Sequence, residues 1–141
     1  MLVRLLYASR SVQPLTAEIV EAILQRSRKN NPVHGITGLL CHNADVFMQV
    51  LEGGRSAVNR LYATLAADPR HRELILLDYA EIQERRFAGW TMGQVNLHKL
   101  NPSLLLKYAE RPVLDPYEMS GTAASGLLDD LMATASIIAR P

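Results

Sequence analysis

The chain has one cysteine, Cys41, so no internal disulfide can form. No apolar run reaches the roughly 20 residues that a bilayer-spanning helix needs, and the opening MLVRLLYASR is too short an apolar stretch for a secretory signal. No charge of one sign dominates: 15 Lys and Arg against 14 Asp and Glu leave a net charge of +1. That balance supplies no electrostatic reason to expect nucleic acid or an anionic membrane as partner. There is no internal repeat, no low-complexity segment, and no G-x-G-x-x-G, P-loop or G-x-S-x-G. His34, His42, His71, His98 and Cys41 lack metal-ligand spacing, and adjacent Cys41 and His42 on a strand would face opposite ways. Cys41 reads as a buried strand residue, and no pair of carboxylates for acid–base work stands out. These absences predict a soluble, cytoplasmic protein that is not an enzyme, with no metal, membrane or nucleic-acid partner.

What remains is an ordinary globular composition. Of 141 residues, 48% are apolar and 21% charged, enough for one domain with a real core. Leu2 to Ser9 reads as a central strand, and Thr16 caps a helix to about Asn30 with Ile19, Ile23 and Ser27 on one stripe beside Val20 and Leu24. Gly35 and Gly38 open a strand to about His42; Asn43, Ala44 and Asp45 turn the chain into a strand from Val46 to Glu52. After Gly53-Gly54, a helix from Ser56 carries Val58, Leu61, Tyr62 and Leu65 and stops at Asp68-Pro69. Leu74 to Tyr79 and Trp90 to Val95 read as two further strands.

The order β-α-β-β-α-β plus one strand is the split βαβ, or ferredoxin-like, arrangement: an α+β fold with both helices on one face of the sheet. The first and third strands are read as central, parallel neighbours. Alternation puts Val3, Leu5 and Tyr7, with Phe47, Gln49 and Leu51, toward the helices. The opposite face (Leu2, Leu6, Ala8, Met48, Val50) is apolar too and needs a cover. The expected cover is the C-terminal segment: a helix from Asn101-Pro102 to about Glu110, a Pro-containing link over 111–116, and a last helix using Leu127, Leu128, Leu131, Met132 and Ile138.

Tyr7 and Gln49 are polar groups where the core should be. Singly, each reads most simply as a satisfied core residue. Together, on neighbouring strands and facing one way, they form a hydrogen-bonding pair with valences left for a planar polar ligand. Asn30 and Asn31 terminate the first helix and offer amides to a heterocycle with carbonyl and N–H groups. Asp68-Pro69-Arg70-His71 is an ordinary polar turn that would also suit a ribityl or phosphate group. Trp90 and Met92, two apart on the expected fifth strand, would share a face and compete for the place beside Gln49; the adaptable thioether of Met92 suits it better.

Five stretches stand at characteristic spacing: Leu6-Tyr7-Ala8-Ser9; Ser27-Arg28-Lys29-Asn30-Asn31; Gly35-Ile36-Thr37-Gly38; Phe47-Met48-Gln49-Val50-Leu51-Glu52-Gly53; and Asp68-Pro69-Arg70-His71. Arg86-Phe87 and Trp90-Thr91-Met92-Gly93 complete the series. In this order they resemble the BLUF family, blue-light sensors using FAD, over about residues 2 to 97. His42, Ala44 and Gly54 depart from the usual pattern, all at strand ends. The resemblance implies that Tyr7 is the photochemical tyrosine, giving up an electron and a proton transiently, and that Gln49 rotates or tautomerises and changes its hydrogen bond to the flavin C4 carbonyl. It implies Asn31 at the polar edge of the ring, with Asn30 and Lys29 in the same helix end, and Ile23 packed on the ring. Asp68, Arg70 and His71 would lie along the ribityl-phosphate side, and Trp90 and Met92 would act in signal output.

FAD is the implied cofactor, with FMN or riboflavin as substitutes, held noncovalently. Residues 1–97 are then the flavin-binding domain and 98–141 a helical cap in the same globular unit. The expected partner is a separate downstream signalling protein, and the expected assembly a homo-oligomer. The competing reading is a flavin-free ferredoxin-like metabolite-binding regulator or small enzyme, holding an anion with Asn31 and Arg70.

Overall fold

The computed structural model describes residues 1–97 and 100–133. His98 and Ile138, named above, lie outside the described residues. Apolar, β-branched stretches form β1 (Leu2–Ser11), β2 (Thr37–Asn43), β3 (Val46–Gly54), β4 (His71–Ile82) and β5 (Gly93–Asn96). Four helices intervene or follow: α1 (Ala17–Asn30), α2 (Arg55–Ala66), α3 (Pro102–Leu106) and α4 (Gly121–Ala133). The Thr16 hydroxyl accepts from the Ile19 amide at 3.2 Å and starts α1, as an N-cap should. The Asn101 side chain does the same for α3, accepting from the Ser103 amide at 3.0 Å. Gly35, at φ 67°, ends the 3-10 turn Pro32–His34 in the left-handed region and releases the chain into β2.

The strands form one five-stranded sheet in the order β4-β1-β3-β2-β5. The ferredoxin-like α+β class therefore holds, but β1 and β3 are antiparallel neighbours, not parallel ones. Connectivity explains the correction. Helix α1 returns the chain so that β2 runs with β1, and the two-residue hairpin loop Ala44–Asp45 then reverses β3 against both. Among the described residues, only β2 and β5 pair in parallel.

Strands β1 and β3 run two residues further than expected, to Ser11 and Gly54, and three other boundaries differ more. The edge strand β4 is longer than Leu74–Tyr79, because its exposed Arg72, Glu73, Asp78 and Glu81 mask its length in the hydrophobic pattern. Its ladder with β1 carries two register shifts, and Glu73 takes φ 54° there. Strand β5 begins only at Gly93, so Trp90 and Met92 precede it. Trp90 instead closes a turn, its amide donating to the Phe87 carbonyl at 3.1 Å while its own carbonyl accepts from Gly38. Helix α3 stops at Leu106, where turn bonds such as Tyr108 N–H to Leu105 O at 3.0 Å replace the helical ladder.

Each face of the sheet carries its own apolar core. On one, Val3, Leu5, Leu40, Phe47 and Leu51 pack against Val20 and Leu24 of α1 and Val58 of α2. On the other, Leu6, Leu39, Met48 and Val50 pack against Leu105, Leu114 and the α4 residues Leu127, Leu128 and Leu131. Fully burying each such leucine is worth roughly 1.5–3 kcal/mol, which holds the C-terminal helices on the sheet.

Between β2 and β3 the backbones meet at Gly38, where a Cβ would run into the Val50 carbonyl oxygen. Gly38→Ala should therefore destabilise the fold by about 1–3 kcal/mol, the usual range for overpacking. Urea denaturation measures this, and an unchanged midpoint would contradict the close approach.

Candidate functional site

Tyr7 and Gln49 are direct cross-strand partners in the β1–β3 ladder, so both side chains project to the helix-bearing face. Both are buried, at 4% and 6% exposure. The Tyr7 hydroxyl donates to Gln49 Oε1 at 2.5 Å. Burial, with the Tyr62 phenol and the Asp68 carboxylate as lesser causes, pushes the Tyr7 hydroxyl well above its ordinary range, so it keeps its proton at rest. The Tyr7 ring also meets Tyr62 of α2 edge-on, with centroids 5.7 Å apart, which fixes its orientation.

Gln49 Nε2 donates to the Met92 sulfur at 3.4 Å. Met92 is fully buried in the helix-side core, whereas Trp90 is half-buried and packs against the cap-side core, its ring 6.0 Å from that of Phe87. The expectation that the two share a face is overturned. Residues 90–92 are not extended strand, so the two-residue alternation that would align them does not apply.

The last turn of α1 reaches the same place. Asn31 is buried and its Nδ2 donates to the Thr91 carbonyl at 3.2 Å; Arg28 NH2 donates to the Met92 carbonyl at 3.3 Å. The Arg28 Nε is buried with no partner among the described residues. Ile23, one face further up α1, is half-buried against the helix-side core. Lys29 and Asn30 are exposed, so the helix end turns Asn31 inward and these two outward.

Asp68 and Arg70 form an ion pair at 2.6 Å. The Arg70 side-chain hydrogen bond lowers the Asp68 carboxyl to about 2, which keeps the pair charged at neutral pH. His71 Nε2 donates to the Leu65 carbonyl at the end of α2. The turn follows α2, whose Tyr62 meets Tyr7, and is tied to the end of that helix by His71, so it lies on the Tyr7 side of the sheet. Cys41 faces the cap core, and burial pushes its thiol up to about 12, which makes it inert.

Sequence reasoning missed Glu52 and Arg4. Glu52 has no exposed surface, and its carboxylate accepts from Arg4 Nε at 2.8 Å and from the Arg86 and Phe87 amides at 3.1 and 2.7 Å. A signal was available: alternation places Glu52 on the apolar face with Met48 and Val50, and Arg4 beside Leu6. It missed His42 and Gln94 as well, which meet across the β2–β5 pair with Nε2 and Oε1 3.1 Å apart.

The chemistry of this donor set fits a flavin. The Gln49 amide has one N–H in use, to a sulfur, and the Asn31 amide donates one N–H to the Thr91 carbonyl. Amides presenting both N–H and C=O complement a heterocycle that presents both in return.

The family described as sensors of blue light using FAD matches residues 2–93. The photoactivated adenylate cyclase subunit beta of Euglena gracilis is 35% identical over 92 residues, 64% of this chain but 11% of the relative. The chain thus spans about a tenth of that curated relative's length. Among solved structures, the dark state of the BLUF protein BlrB superposes with a TM-score of 0.77 at 34% identity, covering 95% of this chain and 96% of BlrB. The photo-activated state of BlsA superposes with a TM-score of 0.81 at 28% identity, covering 94% and 95%. A family match over most of the chain, and a sheet that brings Tyr7 onto Gln49, establish that this chain belongs to the BLUF family of blue-light flavin sensors.

Proposed function

We propose that this chain is a blue-light photoreceptor that holds FAD noncovalently between α1 and α2 and signals to a separate protein, with no enzymatic site of its own. The observation that carries the reading is the buried hydrogen bond from Tyr7 to Gln49 at 2.5 Å. Gln49 and Asn31 would hold the polar edge of the ring, and Ile23 would pack on it. Arg70 and His71, with Asp68 nearby, would lie along the ribityl-phosphate side, and Lys29 and Asn30 would act at the same helix end as Asn31. Arg70 would then exchange part of its bond to Asp68 for one to a phosphate, a charge-assisted bond of similar strength.

When bound, the flavin supplies absorption of blue light and an excited state able to take an electron. The chain's own part lies in Tyr7 and Gln49. Tyr7 releases an electron and its hydroxyl proton and regains both, so it is unchanged in redox state at the end. Gln49 is what changes. If its amide turns over, Nε2 faces the Tyr7 oxygen, which can accept, and Oε1 faces the Met92 sulfur, which has no proton to donate. The turned amide therefore keeps a bond to Tyr7 and loses the one to Met92. That asymmetry is a local switch with two hydrogen-bonding states, the element that any signalling account must name.

The segment from α3 to α4 is, in this reading, a cap on the flavin-binding domain and part of the same globular unit, supported by the apolar core it shares with the sheet. Self-association into a homo-oligomer belongs to the same proposal and is read by light scattering.

Purified protein should be yellow, and denaturation should release the whole chromophore as FAD, identified by chromatography. Colourless protein that takes up no added FAD would contradict the proposal.

A further inference from the structure

The connection between β4 and β5, residues 83–92, is fastened at both ends and touches both cores. At its end, the carbonyls of Trp90, Thr91 and Met92 are held by the Gly38 amide at 3.1 Å, Asn31 Nδ2 at 3.2 Å and Arg28 NH2 at 3.3 Å. The Met92 sulfur there takes the Gln49 amide proton. Near its start, the buried Glu52 carboxylate grips the Arg86 and Phe87 amides. From that grip the Phe87 ring, 1% exposed, enters the cap-side core with the leucines of α4, and the Arg86 guanidinium pairs with Asp129 of α4. A cavity of about 190 Å³ lies between Val50, Arg86 and Leu128, so the Arg86 side of α4 has room to shift.

We propose that Glu52 is a positioning residue that holds this connection as a lever, and that Arg86 with Asp129 is the contact through which a change at Gln49 reaches α4. This rests on the photoreceptor reading above and extends it to the route of output. Turning the Gln49 amide puts an oxygen before the Met92 sulfur, two acceptors face to face, and Met92 moves. The connection cannot absorb that movement at Arg86 and Phe87, because Glu52, on the same strand as Gln49 and three residues on, pins their amides. Held at that clasp, the connection can only turn about it, and the Phe87 ring and Arg86 guanidinium that project from it carry the displacement to α4.

The test is hydrogen exchange in α4, dark against light, on the full flavin-loaded chain, with the absorption red shift recorded on each sample. Wild type should show a light-induced change in α4. Glu52→Gln, which keeps shape but weakens the grip, should retain the red shift and lose at least threefold of the α4 change. Should Glu52→Gln not fold, the exposed pair serves: Arg86→Asp and Asp129→Arg should each reduce the α4 change at least threefold, and the double variant should restore it. A purely structural role would not produce that rescue. An undiminished α4 change in Glu52→Gln or in the single reversals, with the red shift intact, overturns the lever. So does a wild type with a red shift and a silent α4. Absence of any red shift in wild type overturns the photoreceptor reading, and the lever with it.

Discussion

Tyr7→Phe is expected to leave flavin bound and to abolish the light-induced red shift altogether. The phenyl ring fills the same space and keeps its edge contact with Tyr62, so the helix-side core stays packed. What disappears is one oxygen, and with it the proton that sits between Tyr7 and Gln49. Leaving Gln49 Oε1 without that donor costs about 1–3 kcal/mol, which a domain of ordinary stability, about 5–15 kcal/mol, survives. Gln49→Leu should give the same silent, yellow protein by removing the group that turns. Difference spectra before and after blue light measure both. A normal red shift in either variant would remove Tyr7 and Gln49 from the roles proposed for them.

The second large effect concerns stability. Glu52→Ala should destabilise the fold by about 3–5 kcal/mol, the range for breaking a buried charge pair from one side. The carboxylate is wholly buried and satisfies the Arg4 guanidinium and two backbone amides; its removal leaves Arg4, only 20% exposed, beside an uncompensated cavity. Glu52→Gln should fall between wild type and alanine, since one amide oxygen still accepts. Urea denaturation of the three proteins gives the order. A loss under about 1 kcal/mol for alanine would show that the carboxylate is not the clasp that the geometry makes it.

These two sites differ in how far the sequence alone reveals them. Tyr7 and Gln49 are legible because strand alternation is a local rule: a period of two assigns each side chain to a face whatever the neighbouring strand does. The same rule would have exposed Glu52 and Arg4, as charged residues on apolar faces. Thr16 and Asn101 as caps, and Asn31 at a helix end before a proline, are local in the same sense. Leu127, Leu128 and Leu131 announce a buried helix by their spacing, and the apolar cap-side face of β1 and β3 announces that something must cover it.

By itself, then, the sequence determined the element order, the ferredoxin-like class, and the facing of Tyr7 and Gln49, whereas the structure alone turned Asn31 inward and Asn30 outward. The first three depend on rules that act within one strand or one helix turn. Only the tertiary structure decided that β1 and β3 run antiparallel, because direction depends on how the α1 crossover and the β2–β3 hairpin combine. It alone separated Met92 from Trp90, since bonds from Gly38, Asn31 and Arg28 bend residues 90–92 out of the strand and send the two side chains to opposite cores. It alone joined Glu52 to amides some thirty-five residues away. Contacts between residues far apart in the chain follow from which surfaces are left to bury once the local elements have formed, and no short-range pattern records that choice.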